Sequence, residues 1–119
     1  MNKRDAILVV DDDADSRDSL KMLLELDGYR AFTAASADEA IDAVATQQPI
    51  CVILDLHMPG VGGVELAQRI RAAHGNAIVL LVLTGSTSAD DEDAAERSGV
   101  DYVLHKPVDP ARLRRLLPH

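Results

Sequence analysis

At 119 residues the chain has room for one hydrophobic core, so residues 1–119 are expected to form a single domain. A net charge of −8 argues against a surface for nucleic-acid phosphates, which are held by clustered Lys and Arg, and no apolar stretch approaches the length of a membrane span, so neither direct nucleic-acid contact nor membrane insertion is expected. Met1-Asn2-Lys3-Arg4-Asp5 leads straight into a strand-like run instead of a secretory apolar region, which makes the cytoplasm the expected compartment.

The first element is a strand over 6–10, Ile7-Leu8-Val9-Val10, closed by Asp11-Asp12-Asp13. Asp13 is placed as N-cap of a helix over 14–27, in which Leu20, Leu23 and Leu24 share a face and which Gly28 stops. A more mixed strand, 29–34, suits a sheet edge. Ser36 and Glu39 form a capping-box pattern for a helix over 37–47, followed by the apolar pair Ile41 and Val44. The strand over 50–54 is continuously apolar, as a strand covered on both faces must be, and carries the lone Cys51 as a buried thiol; it ends at Asp55. Gly62-Gly63 marks the turn into a helix over 63–73, with Leu66 and Ile70 on one face.

A second continuously apolar strand, 78–83, ends at Thr84. The helix over 88–97 opens with the acidic run Asp90-Asp91-Glu92-Asp93, read as a solvated helix start at the positive end of the macrodipole. Ala89, Ala94 and Ala95 are nearly all the apolar surface this helix offers, so it is the element expected to shift at least cost. A strand over 101–105 ends at Lys106, and Asp109-Pro110 caps a last helix over 110–117.

Alternating strands and helices with short connections predict an α/β fold, a doubly wound five-stranded parallel sheet with helices on both faces. Right-handed crossovers send the C-terminal ends of the strands to one rim, which brings Asp11, Asp12, Asp55, Thr84 and Lys106 together. Carboxylates crowded there disfavour one another's charge, and a divalent cation relieves the strain. An all-oxygen donor set suits Mg²⁺, with Mn²⁺ able to substitute. Asp55, next to such a cation, has two open roles: ligand only, or ligand and nucleophile toward phosphorus. The second needs the Lys106 ammonium and the Thr84 hydroxyl to meet the phosphoryl oxygens.

Four motifs carry a resemblance: Leu8-Val9-Val10-Asp11-Asp12-Asp13; Leu54-Asp55-Leu56-His57-Met58-Pro59-Gly60 with Gly63; Leu83-Thr84-Gly85; and Lys106-Pro107. In this order and spacing the chain resembles the receiver domain of two-component response regulators over essentially its whole length. The resemblance implies strand order 2-1-3-4-5, the flavodoxin-like receiver fold. It implies Asp55 as phosphoacceptor, with a histidine kinase or histidine phosphotransfer protein as donor partner. It further implies Mg²⁺ held by Asp12, Asp55 and the main-chain carbonyl of His57, with Asp11 acting through water. Thr84 and Lys106 would bind the phosphoryl oxygens, and the Lys106–Pro107 peptide would be cis. The helix 88–97, the strand 101–105 and the last helix would form the output face, through which a homodimer could also assemble.

The chain departs from the family at Val103, where most relatives carry Tyr or Phe; Tyr102 points to the opposite face and is no simple replacement. Gly62 stands where Asp or Asn is common. His57 and Ser86 occupy positions that tend to set the lifetime of an aspartyl phosphate. The stretch 103–113 resembles receivers fused to the end of hybrid histidine kinases. Two competing readings are a Mg²⁺-dependent aspartate-nucleophile phosphohydrolase of the haloacid-dehalogenase type, opposed by Ala14-Asp15 following Asp11-x-Asp13, and a phosphorylation-independent interaction module.

Overall fold

The computed structural model describes residues 6–58, 60–85 and 88–118, and of Glu92 only the main chain. Strands β1 (Ala6–Val10), β2 (Arg30–Ala34), β3 (Cys51–Asp55), β4 (Val79–Thr84) and β5 (Tyr102–His105) alternate with helices α1 (Ala14–Leu26), α2 (Ala37–Gln47), α3 (Gly63–His74), α4 (Ala89–Arg97) and α5 (Pro110–Leu116). All strand pairs are parallel and the sheet order is β2-β1-β3-β4-β5. Every boundary lies within one residue of the expected range. The Lys106–Pro107 peptide is cis.

Successive residues of a strand point to opposite faces, and the core divides accordingly. Leu8, Val10, Val52, Leu54, Leu80 and Val82 pack against α2, α3 and α4 through side chains such as Val44, Leu66, Ile70 and Ala95. Ile7, Val9, Ile53, Leu81, Leu83 and Leu104 pack on the other face against Leu20 and Leu24 of α1 and Leu113 of α5. Cys51 belongs to this second cluster; burial, helped by the charge of Asp101, pushes its thiol up to about 12. β2 and β5 are the edges, which explains the mixed composition of β2.

Local chemistry sets most helix ends. Asp13 caps α1 by accepting from the Asp15 N–H at 3.2 Å, and Asp109 caps α5 by accepting from the Ala111 N–H at 3.0 Å. Gly28, at φ 93°, takes the left-handed turn after α1, where the Tyr29 N–H returns to the Leu24 carbonyl at 3.1 Å. One expectation for α2 needs correction. Ser36 accepts from the Glu39 N–H at 3.3 Å, but the Glu39 carboxylate reaches the Ala35 N–H at 3.4 Å, one residue short of a capping box. Ile41 is 38% exposed, because Ala37, Ala40 and Val44 form the face that meets the sheet.

The same burial pattern ranks substitutions on α1. Leu24 is fully enclosed and Leu26 is 79% exposed. Leu24→Ala should therefore cost about 2–5 kcal/mol and Leu26→Ala within about 0.5 kcal/mol in urea unfolding; equal losses at the two positions would contradict this packing.

Candidate functional site

Four strand ends meet at one rim because main-chain hydrogen bonds continue past the strands. The Asp11 N–H donates to the Ala34 carbonyl at 3.1 Å, the Leu56 N–H to Leu83 at 2.9 Å and the Lys106 N–H to Thr84 at 2.8 Å. The turn after β3 closes by the Gly63 N–H donating to the Leu56 carbonyl at 3.0 Å. At Gly63 a Cβ would run into the Asp55 carbonyl oxygen and lie 2.9 Å from Leu56 Cα, so only glycine lets α3 start this close to the end of β3.

The carboxylates are oriented individually. Asp11 is buried; its Oδ1 accepts from the Asp13 N–H at 2.9 Å, and the Arg17 guanidinium donates to its main-chain carbonyl at 2.9 Å. Asp55 is 9% exposed, with Oδ1 accepting from the His57 N–H at 3.3 Å. The Lys106 ammonium lies 3.4 Å from Asp55 Oδ2 and 3.6 Å from Asp11 Oδ2, bridging β1, β3 and the loop after β5. Asp12 is exposed at the mouth. Thr84 is fully enclosed at the end of β4, with its neighbour Leu83 paired opposite Asp55. An open cleft of about 510 Å³ runs beside the rim between α1 and the loop after β5; Asp11, Lys106 and Pro107 line it together with Leu20 and Leu23.

Burial raises the pKa of the Asp55 carboxyl above its ordinary value of 3.8, and the charge of Asp11 adds to this. The Lys106 ammonium and the His57 N–H oppose the rise without cancelling it. The chain's own cation therefore leaves the charged form of Asp55 disfavoured. One carboxylate oxygen from each of Asp11, Asp12 and Asp55 lies within 4.8 Å of the others. This cluster can coordinate a divalent metal, and its hard oxygen donors and residual negative charge fit one.

Arg17 and Asp91 contribute in ways the sequence reading missed, whereas Gly63 was expected at the turn into α3 and the structure adds the close approach that requires it. Arg17 holds the Asp11 main chain, Gly63 admits α3, and Asp91 meets His57 across 34 positions of chain at 3.1 Å. A flanking acid run and a helix-face Arg give no local signal of such contacts. Val103 is half-buried against the α2–α4 face and Tyr102 is exposed, as the alternation of side chains along β5 dictates. Ser86 lies outside the described residues.

The fold and the rim define a class, and comparison with known proteins agrees. The family model described as the response regulator receiver domain matches residues 7–117, and the chain belongs to that family. It is 40% identical over 112 residues to an uncharacterised 14.6 kDa protein in the sodA1 3′ region of Leptolyngbya boryana, covering 93% of this chain and 86% of that one. It is 38% identical over 115 residues to the response regulator MprA of Mycolicibacterium vanbaalenii, spanning 93% of this chain but only 49% of that protein. The crystal structure of a response regulator receiver protein from Pseudomonas putida superposes with a TM-score of 0.88 at 33% identity, covering 98% of this chain and 97% of the other. Family membership sets aside the haloacid-dehalogenase reading: this is a receiver domain, not a conventional enzyme. Among the described residues no helix is long and apolar enough to cross a membrane.

The direction of the Asp55 shift has a consequence for stability. A carboxyl whose pKa is raised on folding binds more protons in the folded than in the unfolded state, so stability falls as pH rises from about 3.8 through the raised value. Without divalent cation, Asp55→Asn should be more stable than the parent at neutral pH, with the advantage vanishing as pH falls toward 3.8. Thermal melts across that window check it; an Asn variant less stable at neutral pH, or a gain independent of pH, would refute it.

Proposed function

We propose that residues 1–119 act as a single phosphorylation-controlled receiver domain in which Asp55 accepts a phosphoryl group from a phosphohistidine on a histidine kinase or histidine phosphotransfer protein. One observation carries the reading: Asp55 is a largely buried carboxylate 3.4 Å from the Lys106 ammonium, with Asp11 and Asp12 carboxylates clustered beside it. An Asp55 oxygen attacks phosphorus, the O–P bond forms as the donor N–P bond breaks, and the leaving imidazole keeps the electron pair and takes up a proton. Lys106, poised against Asp55 Oδ2, then pairs with a phosphoryl oxygen in place of the carboxylate. The Thr84 hydroxyl is assigned a second phosphoryl oxygen.

The divalent cation assigned to the site is Mg²⁺, or Mn²⁺ in its place, held by Asp12, Asp55 and the main-chain carbonyl of His57 and by Asp11 through water. When bound it supplies the positive charge that offsets the phosphoryl oxygens. The chain's own residues do the positioning: Arg17 fixes the Asp11 main chain and the His57 N–H orients Asp55. Phosphorylation replaces the single charge of the Asp55 carboxylate with the about −1.5 to −2 of a phosphoryl group, which favours a rearrangement of the loop before α4. The output face in this reading is α4, β5 and α5, where an acidic α4 lies along the sequence from the basic Arg112, Arg114 and Arg115 and a homodimer could form.

Two measurements test this. Labelling by acetyl phosphate in the presence of Mg²⁺ should place one acid-stable, base-labile phosphoryl group on the chain and be abolished in Asp55→Asn; undiminished labelling of the variant would exclude Asp55 as acceptor. Millimolar Mg²⁺ should raise Tm by a few degrees through mass action, and Asp12→Asn should remove most of that gain. A Tm indifferent to Mg²⁺ would count against the metal assignment.

A further inference from the structure

His57 is gripped at two points. Its main-chain N–H donates to Asp55 Oδ1 at 3.3 Å, and its ring Nε2 lies 3.1 Å from Asp91 Oδ2 in the first turn of α4. One residue thus joins the carboxylate at the rim to a helix of the assigned output face.

The helix it reaches is anchored unevenly. Among the described side chains of α4, Ala95 is the fully enclosed one, and it lies in the C-terminal half. That end is tied further: Ser98 Oγ donates to the Ala95 carbonyl at 2.5 Å, and Arg71 of α3 donates to the Gly99 carbonyl at 2.8 Å and to Asp101 at 2.6 Å. The first turn instead presents Ala89 and Asp90 to solvent. The side chains of His57 and Asp91 are 61% and 33% exposed. A pair this exposed biases an equilibrium by about two- to fivefold, too little to hold a fold and enough to bias the first turn of an alanine-faced helix. Val103, small and packed inward, offers no ring that could carry a signal along β5.

We propose that the His57–Asp91 contact is a latch that passes occupancy of the Asp55 pocket to α4, with Asp91 positioning the His57 ring. The inference rests on the Asp55 pocket being the phosphoryl site. When Asp55 Oδ1 turns toward a bound phosphoryl group, the His57 N–H must follow its acceptor or lose it. Either movement draws the ring from Asp91 and loosens the first turn of α4, while Arg71 and Ser98 keep the far end in place.

Amide hydrogen exchange over residues 89–93, with and without beryllofluoride and Mg²⁺, tests the latch in the parent, Asp91→Ala and Asp91→Asn, with Tm read in the same samples. In the parent, the reagent should speed exchange about two- to fivefold. Asp91→Ala should exchange fast from the start and show no further change, while its Tm still rises with the reagent. Asp91→Asn loses the charge but keeps a carbonyl acceptor for the ring N–H, and should retain most of the response. An Asp91→Ala response equal to the parent's, an Asn variant behaving like the Ala variant, or a parent whose Tm shifts while α4 stays unchanged would each overturn the latch and leave the phosphoryl-site reading standing. A parent Tm unmoved by beryllofluoride and Mg²⁺ would remove that reading and the latch with it.

Discussion

Burial of the Asp55 carboxylate at the end of an interior strand is the constraint around which the rim is built. Water would keep that group charged, but the sheet encloses it and sets Asp11 beside it, so its charged form is disfavoured even with Lys106 at 3.4 Å. A group held this way has unspent capacity for a further cation. The surrounding details serve that placement. Gly63 lets the chain turn at once into α3, and Arg17 and the Asp13 N–H hold Asp11 from behind.

The same sheet separates a rigid base from an element that can move. Leucine, isoleucine and valine side chains fill both faces of β1, β3 and β4, and α1, α2 and α3 are pinned to them by large apolar groups or by a close-packed alanine face. Among its described side chains, α4 contributes little beyond Ala95. Apolar area sets how much a helix resists displacement, so a small rearrangement at the rim meets least resistance along α4. Just past its C-terminal end, Arg71 ties the chain at the Gly99 carbonyl and at Asp101.

Family membership and geometry constrain different things. The match over residues 7–117 establishes what kind of domain this is. MprA is about twice as long as the matched segment, so its resemblance speaks to the receiver part of that protein. The relation among Asp55, His57 and Asp91 is read from this chain's own geometry, and so is the inward packing of Val103.

Much of the fold was legible in the residues. Alternating apolar runs and helical periods placed the elements, Asp13 and Asp109 announced two helix starts, and continuous apolar strands marked the middle of the sheet, because these signals act between near neighbours in the chain. The clustering of Asp11, Asp12 and Asp55 was also readable, since parallel crossovers leave strand ends nowhere else to go. Tertiary structure alone decided that Ile41 faces solvent, that Glu39 reaches Ala35, that Arg17 braces Asp11 and that Asp91 meets His57. Each of these depends on the angle at which a helix lies on the sheet and on ångström-scale distances, across as many as 34 positions for Asp91, which periodicity and capping chemistry do not encode.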